Sequence, residues 1–129
     1  YSKSEILPED INTKEDEFNG FVDPDEQFIL FSSYGRPDDM GGGDLYMSRK
    51  DDKGNWMPVK HLPSPVNSTA IDYCPYVTWD KKYFVFTSNR LGKEFKDGKE
   101  KGYQKLKELL SSPGNGWDDI YWMKFNPNW

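Results

Sequence analysis

This chain has one histidine, His61, and one cysteine, Cys74, and between them they could form a thiol nucleophile held by an imidazole base. A plainer reading competes with that chemistry. His61 lies just before Leu62-Pro63, where a packing or surface role suffices, and Cys74 sits beside Pro75 and reads as a small buried hydrophobe. No Gly-x-Ser-x-Gly elbow occurs, so a serine nucleophile with His61 as base has no support. One cysteine also excludes an internal disulfide and a cysteine-rich zinc site.

Asp38, Asp39 and Asp44 offer the hard oxygen ligands that Ca²⁺ takes. Their spacing matches no EF-hand loop, and Asp44 recurs as Asp119, so hydrogen bonding to loop backbone is the expectation, with Ca²⁺ as the one cofactor option. Gly41-Gly42-Gly43 is followed by no Gly-Lys-Ser/Thr and opens no helix, which argues against a phosphate loop and for a sharp turn. Asn67-Ser68-Thr69 is a formal glycosylation acceptor, but the matching Asn12-Thr13-Lys14 is not. A turn role for Asn67 fits both copies. The candidate ligand-binding residues are Tyr34, Arg36, Asp38 and Asp39 in one loop and Arg90, Trp117 and Asp118 in another. Arginine beside aromatic and acidic groups suits a carboxylate, a glycan or a peptide. The competing expectation is that Arg90 pairs internally with an aspartate of a neighbouring structural unit.

The elements that must position these residues are written twice. Leu7-Pro8 recurs as Leu62-Pro63, and Asn12-Thr13 as Asn67-Ser68. Val22, Asp25, Phe31 and Ser33 recur as Val77, Asp80, Phe86 and Ser88, always at an offset of 55 (62 − 7 = 55). Asp44-Leu45-Tyr46 then recurs as Asp119-Ile120-Tyr121 at an offset of 75 (119 − 44 = 75), so the second copy carries 20 extra residues (75 − 55 = 20). A period of this size means stacked supersecondary units that cannot bury their apolar faces alone.

Short apolar runs bounded by turn residues predict strands at 17–22, 27–33, 44–48 and 56–60. The second is nearly all apolar, as a strand buried on both faces would be. Pro58 marks the fourth as an edge strand, since proline has no N–H for a ladder. The second copy predicts strands at 73–78, 83–88 and 119–124, with no recognisable fourth. At the same offset Tyr1 matches Trp56 and Ile6 matches His61, so 1–6 is expected to be an outer strand. The insertion, about 91–116, contains helical spacing over 99–110, with Tyr103, Leu106 and Leu110 on one face. That helix would either cap a side or mouth of the fold with its apolar stripe or act as a lid or docking helix.

Val22-Asp23-Pro24-Asp25, Phe31-Ser32-Ser33, Gly41-Gly42-Gly43-Asp44-Leu45-Tyr46 and Thr87-Ser88-Asn89-Arg90 together resemble the WD40-like repeat of TolB-type β-propellers. The resemblance covers nearly the whole chain outside the insertion. Two departures stand out. Glu26 and Lys81 replace the turn glycine, which a type I turn tolerates without positive φ. The first copy also reads Ser33-Tyr34-Gly35-Arg36 where the second keeps Ser88-Asn89-Arg90. The resemblance implies an all-β chain of two four-stranded antiparallel propeller blades over 1–129, module one at 1–55 and module two at 56–129, with a short helical insertion. A closed propeller needs about four to eight blades. Two modules therefore imply a piece of a larger propeller, preferably its C-terminal part. Assembly of a ring from several chains, or an open piece whose edges pair with another chain, are the alternatives.

Net charge is −5 and no basic stripe exists to neutralise phosphates, which excludes nucleic acid as the expected partner. No apolar run approaches the roughly 20 residues of a membrane span. Family members are mostly periplasmic or cell-surface bacterial interaction scaffolds. The implied function is a non-catalytic module that binds a protein, glycan or cell-envelope ligand, with other blades or other copies of the chain as further partners. The alternative is a two-blade part of a propeller enzyme, a polysaccharide lyase or hydrolase or a peptidase, whose catalytic residues lie outside this chain.

Overall fold

In a computed structural model, residues 3–96 and 99–129 are described. The chain is mostly β. Strands β1 (Asp16–Val22), β2 (Phe28–Tyr34), β3 (Asp44–Arg49) and β4 (Lys60–His61) form one antiparallel sheet in that order. Strands β5 (Asp72–Val77), β6 (Tyr83–Ser88) and β7 (Asp119–Lys124) form a second, three-stranded one. The two sheets pack on each other and do not close into a ring.

The shared sequence pattern folds alike in both. Asp23 N–H donates to Phe28 O (3.0 Å) and Glu26 N–H to Asp23 O (2.7 Å); Thr78 and Lys81 repeat both bonds with Tyr83 O (2.9 Å) and Thr78 O (2.8 Å). The turn differs from expectation in one respect. Glu26 and Lys81 lie at φ 57° and 54°, the left-handed region that the missing glycine would occupy without strain. The residue that closes the turn must twist the chain back into the ladder, and here Glu26 and Lys81 do so in place of glycine.

Both first strands carry a bulge, between Phe18 and Phe21 and between Tyr73 and Tyr76. Asn19 (φ 50°) and Cys74 (φ 52°) occupy the left-handed position of each. This corrects the expectation for Cys74: the bulge turns it out of the pleat, and the thiol is exposed rather than buried.

In β2 every residue from Phe28 to Ser33 is buried, as a strand covered on both faces should be. In β6 burial alternates: Phe84, Phe86 and Ser88 are buried while Tyr83, Val85 and Thr87 are not. One main core lies between the sheets. Phe28, Leu30, Leu45 and Met47 of the first meet Val77, Phe84 and Phe86 of the second, with Leu62 and Val66 of the linker completing it. A smaller core of Ile11, Ile29, Phe31 and Tyr46 lies on the other face of the first sheet.

The outer strands are shorter than expected. Only Lys60 and His61 pair with β3, joined by an isolated bridge from Lys50 to Trp56. Pro58 interrupts the run because it offers no N–H. Residues 3–6 form no strand, since no sheet edge stands beside them; Tyr1 and Ser2 of that expected strand lie outside the described residues.

Leu91 bridges Asn115, and Gly92 N–H donates to Gly114 O (2.8 Å), closing the base of the insertion. It holds α1 (Lys93–Lys96) and α2 (Tyr103–Leu110); residues 97–98 lie outside the described set. The helix begins at Tyr103 rather than 99 because Gly102 is extended and no side chain caps it. Of the two readings of the stripe, the capping one is overturned: Tyr103, Leu106 and Leu110 are exposed, and Leu109 is the buried residue that anchors the helix. The insertion folds back on its own base and does not cap the sheets with that stripe.

Candidate functional site

The ends of both sheets at which β1 and β5 begin carry the loops holding the candidate ligand residues. Arg36 follows β2 and turns inward. Its Nε donates to Ser33 Oγ (3.0 Å), Nη1 to Asp10 O (3.1 Å), and Nη2 to Ile11 O (2.8 Å) and Glu17 Oε1 (3.0 Å). The guanidinium lies over the rings of Phe31 and Tyr46. Arg90 makes the same set with Ser88 Oγ (2.9 Å), Pro65 O (2.7 Å), Val66 O (2.6 Å) and the buried Asp72 carboxylate, over Phe86 and Tyr121. Gly35, at φ 90°, absorbs the one-residue difference between the two loops. Arg90 thus pairs with an aspartate of its own sheet.

The aspartates of the first loop are also engaged. Asp38 Oδ1 accepts from Tyr46 Oη (3.0 Å), and Asp39 caps the N–H groups of Gly35 (2.9 Å) and Gly41 (3.0 Å). Asp44 Oδ2 accepts from Met40 N–H (2.7 Å) and bonds His61 Nε2 (2.6 Å), while Asp119 Oδ2 accepts from Gly114 N–H (2.6 Å). Burial holds the Asp44 carboxyl above its ordinary range, opposed by the Met40 and His61 bonds. Burial, followed by the bond to Asp38, likewise raises the Tyr46 hydroxyl. His61 is half-buried against the Tyr46 ring (5.0 Å between centroids). Among the described residues no group of three or more His, Cys, Asp or Glu side chains stands together as a metal site.

Asn67 does more than the expected turn role. It sits at the bend that follows the Pro63–Val66 turn, is fully buried, and acts as a clamp. Its Oδ1 accepts from Leu45 N–H (2.8 Å), and its Nδ2 donates to Leu45 O (2.9 Å) and Leu62 O (2.8 Å). This ties the edge of the first sheet to the linker that leads into the second. The glycine loop packs at the same seam. A Cβ on Gly41 would lie 2.5 Å from Ala70 O, and Asp72 N–H donates to Gly43 O (2.9 Å).

Between the sheets, at this same end, opens a cleft of about 600 Å³. Asp16, Glu17 and Phe18 of β1, Tyr34 at the end of β2, Ile71 and Tyr73 at the start of β5, and Asp118 before β7 line it. Tyr73 is held above the ordinary tyrosine range by burial first and by its hydrogen bond to Asp118 second. Glu17 is occupied by Arg36 and by Thr13, whose N–H (3.0 Å) and hydroxyl (2.6 Å) both donate to it. Asp16 and Asp118 are exposed. The cleft therefore offers aromatic faces flanked by carboxylates.

Of the seven candidate ligand residues, the fold brings Tyr34 and Asp118 to this cleft, with Trp117 exposed beside Asp118. Arg36 and Asp38 border a separate hollow of about 260 Å³ with Asp10 and Val59, and Arg90 another of about 370 Å³ with Thr69 and Leu91. Asp39 stays within its loop. Sequence reasoning passed over Asp16, Phe18, Ile71 and Tyr73. Their signal was present: Phe18 and Tyr73 are both aromatic and stand 55 residues apart (73 − 18 = 55) at the start of a first strand. No protein-family model, curated protein or solved structure matches this chain.

Proposed function

We propose that this chain is a non-catalytic part of a TolB-like β-propeller, its two sheets acting as blades that bind a protein, glycan or cell-envelope ligand at the cleft between them. The observation that carries this reading is how the polar groups are used. The two loop arginines, the loop aspartates, His61 and Asn67 each bond another group of the fold, while Phe18, Tyr34 and the Asp16 carboxylate at the seam are exposed, beside an exposed Asp118 that accepts from Tyr73. Fixed rings with few rotatable bonds give a binding surface that loses little entropy on contact. Periplasmic or cell-surface placement belongs to the same proposal and rests on the resemblance of the repeat. The test is an amide-resolved NMR titration with three probes: a peptidoglycan fragment, a neutral oligosaccharide and a lysine-rich peptide. Shifts confined to Asp16–Phe18, Tyr34, Ile71–Tyr73 and Asp118, and lost in Phe18→Ala, are expected for at least one probe. No shift with any of them, or shifts centred elsewhere, would overturn the reading.

A further inference from the structure

Each face of the second sheet has a counterpart in the first whose surroundings are visible in the structure. The face of the first sheet that meets the second is built from Phe28, Leu30, Leu45 and Met47, all at 3% exposure or less, with Phe21 packed against them. The counterparts of these five are Tyr83, Val85, Ile120, Trp122 and Tyr76. They are equally apolar or aromatic, yet Ile120 is 78% exposed where Leu45 is 0%, and Trp122 is 68% exposed where Met47 is 1%. Position and chemistry are the same, and the neighbour is what differs. Tyr83, Val85 and Trp122 form a continuous patch with Thr78, the Tyr83 and Trp122 rings meeting edge to face at 5.3 Å. Among the described residues no strand pairs with the outer edge of β7, and an apolar sheet face ending in such an edge is the kind of surface that takes up a partner.

The structure also shows what covers such a face. Leu62, Val66, Val77, Phe84 and Phe86 do so for the first sheet, and β4 pairs its edge with Tyr46 opposite His61 and Met47 opposite Lys60. The chain carries that covering surface twice, the other copy being Leu7, Ile11, Val22, Ile29 and Phe31. On this upstream copy Ile11, Ile29 and Phe31 are already buried within the chain beside Tyr46, Leu7, Trp56 and Val59, and what stays open is Val22, 53% exposed where Val77 is 3%, together with Ile6 at 92%. Asn12 makes the linker half of the Asn67 clamp, donating to Leu7 O (3.4 Å), but among the described residues no strand stands where Leu45 does for Asn67.

From these paired differences we infer that a second copy of this chain docks its upstream face onto the downstream face of the second sheet, head to tail. Residues 3–7 of that copy add to β7 as its fourth strand, with Ile6 opposite Tyr121 and Glu5 opposite Trp122. Its Asn12 closes on both backbone groups of Ile120 as Asn67 closes on Leu45. The contact is heterologous, so it repeats until a ring closes or an open chain grows. It is weaker than the internal seam, because Glu26 stands where Lys81 forms its ion pairs to Asp23 and Asp25.

The test is solution mass, since the chain itself is 15.1 kDa. Wild type is expected to show multiples of that mass that grow with concentration. Trp122→Glu and Val22→Glu each place a charge on one of the two faces, at residues exposed in the single chain, so each should stay folded by circular dichroism and run as a monomer. Mixed, they should form a dimer, because one copy keeps its upstream face and the other its downstream face. A wild type that stays at one chain mass over a hundredfold concentration range overturns the inference, as would occupancy of the face by some other protein only. Dissociation by Trp122→Glu but not by Val22→Glu overturns it too, since that pattern belongs to a face-to-face dimer.

Discussion

Arg36 and Arg90 hold matching partners one repeat apart: a serine hydroxyl, two consecutive linker carbonyls, a carboxylate and the faces of two aromatic rings. Each arginine joins the end of a second strand to the linker before its own first strand. The planar guanidinium can serve all these partners at once, which an ammonium group cannot. Replacing Arg90 by Ala leaves the Asp72 carboxylate buried without its cation, a loss of about 3 to 5 kcal/mol. Arg90→Lys should recover only part of it. Urea denaturation of the two variants checks both statements, and a loss below about 1 kcal/mol for Arg90→Ala would contradict the structural role.

Asn67 and Asn12 are matched in sequence and unequal in partners. Asn67→Ala orphans the N–H of Leu45 and the carbonyl of Leu62 inside the core, which should cost about 3 kcal/mol. Asn12→Ala in the isolated chain removes one long, exposed bond and should cost under about 0.5 kcal/mol. Equal losses in thermal melts of dilute protein would show that the two sites are not in the environments described.

Glu26 sits in the left-handed region, and its side chain makes an exposed contact to Lys50 at 3.7 Å, while its N–H closes the turn to Asp23 O whatever the side chain. Glu26→Gly should therefore stabilise the chain by about 1 kcal/mol. At Lys81 the same substitution relieves similar strain but removes two ion pairs across the seam, so its gain should be smaller or negative. Comparing the two denaturation midpoints separates backbone strain from side-chain contact.

Lys81 also makes stability depend on alkali. Its amine is held above the ordinary lysine value of 10.5 by donating first to Asp25 and then to Asp23. A lysine whose folded pKa is raised contributes stability that is whole below the unfolded value and is lost as pH rises through the folded one. Wild type should lose stability above pH about 10.5 more steeply than Lys81→Met. Tyr73 and Tyr121, both raised chiefly by burial, add an alkaline loss common to the two proteins, so the difference isolates the lysine. Parallel curves would mean that the seam ion pairs contribute nothing.

Much of the local structure was legible before any coordinates. The strand runs around Phe31 and Phe86, the turns after Val22 and Val77, and the backbone-capping roles of Asp44 and Asp119 follow from residue type and short-range spacing. The cleft between the sheets is less legible in the sequence. Tyr34 and Asp118 line it, whereas Arg36 and Arg90, of the same chemical promise, turn away to carbonyls 24 to 26 residues distant. For Asp16, Phe18 and Tyr73 the matched aromatic pair 55 residues apart is the one trace in sequence (73 − 18 = 55), because the cleft beside the head of a strand is made by the other sheet.

What the sequence determined by itself is the pair of matched sheets, because alternation, turn chemistry and the 55-residue offset act over a few residues at a time. What only the tertiary structure decided is which face of each sheet is covered. Leu45 and Ile120, or Phe28 and Tyr83, satisfy the same local pattern, yet one of each pair is buried and the other is open to solvent. Burial is set by the element packed across the sheet, and that element lies far along the chain. The same holds for Cys74, which a bulge turned outward, and for Asn67, whose clamp exists only because β3 of the first sheet meets the linker of the second.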